Sequence, residues 1–155
     1  MTDTDNRREV VIPKADAVFW MDDRGRWHNR HGRFRHQRII AHFNRAIRRD
    51  ENGYFVTQVR GDVCEKVYFA YAETPLFVCR ISAAAPFSLT LNTGATIPLD
   101  PAGLFVRGDQ LYMRHGGEIV KFDERTLAAI AVYLEEADGG LAIRLDEQRV
   151  VIPER

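Results

Sequence analysis

The sequence predicts an α+β fold of two similar halves, each an antiparallel twisted sheet with one packed helix. Both apolar patterns are present: alternation typical of strands, and the three-to-four spacing typical of helices. The order hairpin, helix, strand also occurs twice. Each copy has an Arg-His-Gly turn, at Arg30–Gly32 and Arg114–Gly116, and a strand opened by glycine, at Gly53 and at Gly140, 87 residues later. An internal repeat is therefore expected.

In the first half, strand patterns precede a helical one. Residues 18–21, 26–29 and those around Phe34 predict a three-stranded meander. Residues 36–49 predict a helix, which ends before the turn residues Asn52 and Gly53. Strands over 54–59 and 63–71 follow, with a tight turn between them. The apolar face of the helix comprises Ile39, Ile40, Phe43, Ala46 and Ile47.

In the second half, short strands separated by glycines lead to a second helix over about 124–136. Asp123 is its predicted N-cap, and Leu127, Ile130, Ala131 and Leu134 form its predicted buried face. We expect three segments in the chain: a tail with an edge strand over 1–15, an N-terminal half over 16–82 and a C-terminal half over 83–155. The apolar seam after Ser82 marks the boundary.

Composition indicates a globular protein, with 45% hydrophobic and 28% charged residues. The N-terminus lacks the apolar core of a signal peptide, and the longest apolar run is shorter than the roughly 20 residues that span a bilayer. We do not expect Cys64 and Cys79 to lie opposite each other, and unpaired thiols are typical of a reducing compartment. The sequence thus predicts a soluble, cytoplasmic protein.

Charge is balanced overall but unevenly distributed. Residues 1–60 carry 13 basic and 8 acidic side chains, whereas residues 61–155 carry 9 and 14. From Arg24 to Arg49 there are nine arginines and no acidic residue. Such a segment can bind phosphate or nucleic acid, but it can also attract the acidic half of the same chain.

The polar side of the first predicted helix is the candidate site. Its basic residues are spaced by four, three and four positions and would lie along one line: Arg38, His42, Arg45 and Arg49. In the repeat comparison only Arg38 recurs, as Arg125. The other three are therefore candidates for binding an anion or a protein partner by electrostatic attraction. The alternative is an ordinary solvated helix face.

Metal, cofactor and catalytic signals are weak. The histidines of the basic segment do not share one helical face and no cysteine accompanies them, so no metal site is predicted: they are His28, His31, His36 and His42. No glycine-rich phosphate loop is present, and no cofactor is predicted. An enzyme using Asp62 or Glu73 remains an alternative that rests only on their nearness in sequence.

Short motifs along residues 18–145 resemble the bacterial domain-of-unknown-function family numbered 1285. They are Asp23–Trp27, Gly32, Arg38-Ile39, Arg48–Tyr54, Glu73–Pro75 and Leu91–Thr93. Two positions depart from the family pattern, namely Ala72 before Glu73 and Gln58 after Thr57. The resemblance implies a two-part α+β fold with repeated motifs and a signalling or ligand-binding role, and it transfers no functional residue.

The function expected from the sequence is a non-enzymatic cytoplasmic binding or regulatory module. It would recognise a small anionic ligand or a protein partner. Nucleic-acid binding through the arginine-rich 24–49 region is the second hypothesis, which the neutral overall charge disfavours. A carboxylate-dependent enzyme is the third. No membrane partner is expected.

Overall fold

The computed structural model describes residues 7–82 and 84–155. The chain divides into two compact units, Met1–Pro75 and Leu76–Arg155. Residues 1–6 of the predicted tail and residue 83 of the predicted seam lie outside the described residues. The segment ranges 1–15, 16–82 and 83–155 stay a prediction.

The first unit contains two sheets and one helix. A three-stranded antiparallel sheet is formed by β2 (Phe19–Met21), β3 (Trp27–Asn29) and β4 (Gly32–Arg33). A four-stranded sheet has the order β1-β7-β6-β5. Its strands are β1 (Arg8–Ile12), β5 (Arg48–Asp50), β6 (Gly53–Arg60) and β7 (Val63–Tyr68), with β1 parallel to β7. Helix α1 (Gln37–Ala46) connects the two sheets.

The core of the first unit is aromatic. Trp27 and Phe69 are almost fully buried, with ring centroids 4.8 Å apart. Phe43 of α1 meets the Trp27 ring at 5.2 Å and the Phe19 ring at 5.1 Å. The Trp27 Nε1 atom donates to Asn44 Oδ1 at 2.7 Å, so its polar group is paired inside the core. These contacts fix α1 against the three-stranded sheet.

The second unit also contains two sheets. Six strands follow the order β10-β9-β8-β13-β12-β11, and the pair β8–β13 is parallel. They are β8 (Phe77–Ser82), β9 (Ser88–Leu91), β10 (Thr96–Pro98), β11 (Leu104–Arg107), β12 (Gln110–His115) and β13 (Glu118–Phe122). Helix α2 (Glu124–Ile130) leads into an antiparallel sheet of β14 (Leu134–Ala137), β15 (Gly140–Leu145) and β16 (Gln148–Ile152). The largest buried apolar side chains include Phe105, Met113 and Ile143.

The predicted fold class, an α+β repeat of two similar halves with packed helices, is wrong. The described residues form sixteen strands in four sheets and only two α-helices, so the protein is mostly β. Each unit has two sheets rather than one. The parallel pairs β1–β7 and β8–β13 join strands distant in sequence, which hairpin patterns do not reveal. The comparison that matched Arg38 with Arg125 therefore loses its basis.

Both predicted helices are too long. Helix α1 ends at Ala46, because Arg48–Asp50 form β5 and pair with β6. No residue of α1 is fully buried, and Ile39 is 47% exposed. Helix α2 ends at Ile130, and Leu134 pairs with Ile143 in a sheet. In both places strand pairing with a following hairpin overrides a short helical pattern.

The predicted cap of the second helix is confirmed. The side chain of Asp123 accepts from the Thr126 backbone N–H at 2.8 Å. Thr126 is buried, and its hydroxyl lies 3.0 Å from the Val78 carbonyl oxygen of β8. Both cysteines are free, as predicted. Neither α-helix of the described residues has the length and apolar composition to cross a bilayer.

Candidate functional site

The predicted basic line is divided between two elements. Arg38, His42 and Arg45 are exposed on α1. Arg49 is also exposed but belongs to β5, where its guanidinium lies 5.8 Å from the centre of the Tyr54 ring. The helix therefore carries three of the four predicted residues. None of the four lines either of the two clefts described next.

Two clefts flank the segment that joins β4 to α1. One has a volume of about 300 Å³ and the other of about 360 Å³. Both are lined by Arg33, Phe34 and Arg35. The first cleft adds Asn29, His31, Gly32, His36 and Ile39. The second adds Gly25, Arg26, Trp27, Gln37 and Ile40. Among the described residues, both clefts are lined by several cationic side chains and by no carboxylate.

Phe34 holds this segment in place. Its ring meets Phe43 of α1 edge-on, with centroids 5.0 Å apart. Its backbone N–H donates to the Trp27 carbonyl oxygen at 2.9 Å. Because side chains alternate along extended chain, anchoring Phe34 directs Arg33 and Arg35 away from the core. The two guanidinium groups are thus carried on a short segment tied to the aromatic core.

The turn before this segment depends on glycine and a side-chain cap. Gly32 has a φ of +116°, a conformation that residues with a Cβ atom rarely adopt. The His31 backbone N–H donates to Asn29 Oδ1 at 2.9 Å. This geometry places the His31 side chain at the rim of the first cleft, where Arg30 Nε donates to its Nε2 atom at 3.3 Å.

Arg33 and Arg35 differ from Arg26, a third arginine at the clefts, in whether a carboxylate pairs with them. Arg26 Nε donates to Asp22 Oδ2 at 2.8 Å, so its charge is largely neutralised. Within residues 7–82 and 84–155, Arg33 and Arg35 have no ion-pair partner. Guanidinium groups bind phosphate and carboxylate with a matching fork of donors. The arrangement can therefore bind an anion by charge and hydrogen bonding.

Asp22 pairs with Arg26, which lines the second cleft. Partial burial opposes its ionisation, but hydrogen bonds from His28, Arg26 and the backbone outweigh burial and hold the pKa of Asp22 far below its usual range. The carboxylate therefore stays charged and engaged with its neighbours. It organises the β2–β3 turn, since the backbone N–H groups of Arg24 and Arg26 both donate to its Oδ1 atom.

A second ion pair lies in the four-stranded sheet of the same unit. Lys66 Nζ and the Tyr68 hydroxyl both donate to Asp50 Oδ2. The hydrogen bond from Lys66, followed by that from Tyr68, lowers the pKa of Asp50 to about 2. Lys66 also lies 4.3 Å from the centre of the Phe55 ring. This cluster has the character of a structural ion pair.

Carboxylates suited to acid catalysis would show raised pKa values. Where a carboxylate pKa shift is resolved in the described residues, it is downward: for Asp22, Asp50 and Glu135. Asp62 and Glu73, the candidates of the enzyme hypothesis, are exposed in turns. Within the described part of the chain, no three His, Cys, Asp or Glu side chains converge on a common point.

Sequence reasoning missed the central residues of the clefts, Arg33, Phe34 and Arg35. The signal was present, because Arg-Phe-Arg in extended chain places one ring inward and two guanidinium groups outward. The helical spacing of Arg38, His42 and Arg45 instead favoured the exposed face of the helix. The wider arginine-rich stretch, residues 24–49, does contain the clefts.

Comparisons with known proteins identify the fold. No protein-family model matches the sequence, and no curated protein matches it. A DUF1285 family protein from Silicibacter pomeroyi DSS-3 is similar in structure, with a TM-score of 0.64 and 12% identity over 94% of this chain and 84% of that one. A DUF1285 family protein from Shewanella baltica OS155 has a TM-score of 0.52 and 14% identity over 74% and 91%. The predicted resemblance is confirmed: the chain has the fold of DUF1285 family proteins.

Proposed function

We propose that this protein is a non-enzymatic, cytoplasmic binding module that recognises a small anionic ligand in the clefts around Arg33 and Arg35. The observation that carries the proposal is the pair of arginines Arg33 and Arg35, which have no carboxylate partner in the described part of the chain and are held at two adjacent clefts by the anchored Phe34.

Charge and geometry both favour a small anion over a neutral ligand. An isolated guanidinium in a cleft has no carboxylate to compensate it, so an anion entering the cleft replaces water with charge-assisted hydrogen bonds. Phe34 and Ile39 add apolar surface to the first cleft. The ligand class is therefore an organic phosphate or carboxylate with some apolar surface.

The exposed cations of α1 have a secondary role in this proposal. Arg38, His42 and Arg45 lie outside the clefts and attract an anion over longer range, as does Arg49 on β5. Long-range attraction raises the rate of encounter and is screened by salt. These residues are therefore expected to influence affinity less than the cleft arginines do.

Calorimetric titration with inorganic phosphate and pyrophosphate tests the proposal. We expect saturable binding by the natural chain and its loss in the double variant Arg33→Glu/Arg35→Glu. The matched control is Arg80→Glu/Arg125→Glu, which changes the net charge equally but at two exposed positions of the second unit. Equal loss in both variants, or no binding by the natural chain, would contradict the proposal.

The nucleic-acid hypothesis is separated from this one by salt dependence. A protein that neutralises several phosphates of a nucleic acid loses affinity steeply as salt rises. A ligand held by two arginines releases few counterions and has a shallow dependence. Retention on heparin beyond moderate salt, together with a steep slope, would favour nucleic acid through the 24–49 region.

A further inference from the structure

The three-stranded sheet of the first unit has a polar outer face beside the clefts. Trp20 of β2 pairs with His28 of β3, and His28 pairs with Arg33 of β4. Directly paired residues of antiparallel strands lie on the same face. The three side chains therefore form a row across the sheet, which we name the Trp20–Arg33 row. The alternate residues Phe19 and Trp27 point into the core.

Trp20 is an exposed aromatic in a stacked arrangement. Its ring lies nearly parallel to the His28 imidazole, with an angle of 7° and a centroid separation of 5.7 Å. Trp20 is nevertheless 41% exposed, whereas Trp27 is 1% exposed. On the side away from His28, the paired position is Ala70, an exposed residue whose side chain is a single methyl group. The indole therefore keeps surface on which another planar ring can stack.

The imidazole behind Trp20 is fixed. His28 Nε2 lies 2.7 Å from Asp22 Oδ2, and Arg26 binds the same carboxylate. The ring of His28 is thus oriented by an ion-pair network that is itself tied to the β2–β3 turn. A planar surface held in advance loses little conformational freedom when a ligand stacks on it.

The far end of the row is cationic. Arg33 belongs to both clefts and has no ion-pair partner among the described residues. Neighbouring strands lie about 4.8 Å apart, so β2 and β4 are separated by about 10 Å. Trp20 and Arg33 therefore lie on strands whose backbones are about 10 Å apart, on the same face of the sheet and with His28 between them. A nucleotide carries a planar base and a phosphate at opposite ends of one sugar.

We propose that the Trp20–Arg33 row binds a nucleotide, with the base stacked on Trp20 and the phosphate at Arg33. The inference rests on the proposed anion-binding function, because its phosphate end is the same cleft, and it names the ligand class. Free nucleotides and single-stranded nucleic acid share this chemistry. Stacking of a base on an aromatic ring is tolerant of base identity.

Paired ligands with and without a base test the inference. We measure binding of adenosine 5′-monophosphate and of ribose 5-phosphate by calorimetry, and follow tryptophan emission. The nucleotide is expected to bind at least fivefold more tightly, the lower end of the range for one stacked base, and to quench emission. Trp20→Ala removes this preference but leaves ribose 5-phosphate binding unchanged. Trp20→Phe retains part of the preference, which controls for altered folding.

The outcomes separate the inference from the function on which it rests. If ribose 5-phosphate binds and the nucleotide binds no better, the stacking platform is refuted while anion binding stands. If neither ligand binds, the proposed function fails and the inference with it. If Trp20→Ala weakens both ligands equally, the row is not a base site. Titration with octaadenylate distinguishes a free nucleotide from single-stranded nucleic acid. Tighter binding of octaadenylate than of adenosine 5′-monophosphate would favour single-stranded nucleic acid as the ligand.

Discussion

The carboxylate of Asp22 lies 2.7 Å from the Nε2 atom of His28, and this contact orients the imidazole against Trp20. The same carboxylate accepts from the Arg26 side chain and from two backbone N–H groups of the β2–β3 turn. One acidic side chain thereby stabilises the turn and the face beside the arginine-lined clefts.

Asp22→Ala is expected to lower the free energy of unfolding of the first unit by about 1–3 kcal/mol. The change removes charge-assisted hydrogen bonds to a partly buried carboxylate and leaves their donors without partners. Urea unfolding followed by tryptophan emission measures this unit, since both tryptophans lie in it. Glu51→Ala, in the exposed β5–β6 turn, is the control and should change stability by less than about 0.5 kcal/mol. Equal effects of the two variants would refute the structural role of Asp22.

Asp50 makes the stability of the first unit depend on pH. Its pKa is lowered to about 2 by hydrogen bonds from Lys66 and Tyr68, while an unfolded chain has an Asp pKa of about 3.9. A depressed pKa stabilises the fold above about pH 4, and this contribution is lost as pH falls towards 2. The melting temperature of the natural chain should exceed that of Asp50→Asn by a constant amount above pH 5. The difference should shrink between pH 4 and pH 2, and a constant difference over that range would contradict the assignment.

The cap of α2 provides a prediction for the second unit. Asp123→Ala should destabilise this unit by about 1 kcal/mol, because the N–H of Thr126 loses its acceptor. Asp123→Asn should cost much less, since asparagine is an equally good N-cap residue. Hydrogen exchange of the α2 amides measures both variants. Equal exchange rates in the two variants would show that the cap contributes nothing.

Single charge reversals separate the cleft from the helix surface. Arg33→Glu should weaken phosphate binding at least tenfold, because it places a carboxylate in both clefts. Arg45→Glu should weaken it less than threefold at physiological salt, since Arg45 is exposed on α1 and acts only at a distance. Calorimetry at two salt concentrations measures both effects. If Arg45→Glu weakened phosphate binding more than Arg33→Glu does, the anion site would lie on the exposed face of α1.

Local features of the fold were predictable from the sequence. The meander before α1, the hairpin β6–β7 and the Asp123 cap all depend on residues close together in the chain. Turn chemistry and side-chain alternation are sufficient to locate such elements.

Long-range pairing was not predictable in the same way. The partner of β1 is β7, and the partner of β13 is β8, each far away in sequence. Neither pairing leaves a local pattern. The apolar residues after Ile130 were predicted as helix because their spacing is helical, whereas Leu134 pairs with Ile143 in the hairpin that follows.

The candidate site was predicted in part. The acid-free, arginine-rich stretch of 24–49 includes both clefts, but the chosen residues did not line them. Placing Arg33 and Arg35 requires knowing that Phe34 packs on Phe43. Excluding Arg49 from the helix requires knowing that Arg48–Asp50 pair with β6. The first is a packing contact between two elements, and the second is a strand pairing that competes with the helical pattern.

Amide chemical-shift mapping during titration with inorganic phosphate tests anion binding at the clefts most directly. Saturable shifts should be confined to the backbone around Gly32, Phe34 and His36 and should vanish in Arg33→Glu/Arg35→Glu. Shifts centred on α1 beyond Arg38, shifts in the second unit, or none at all would contradict an anion site between β4 and α1.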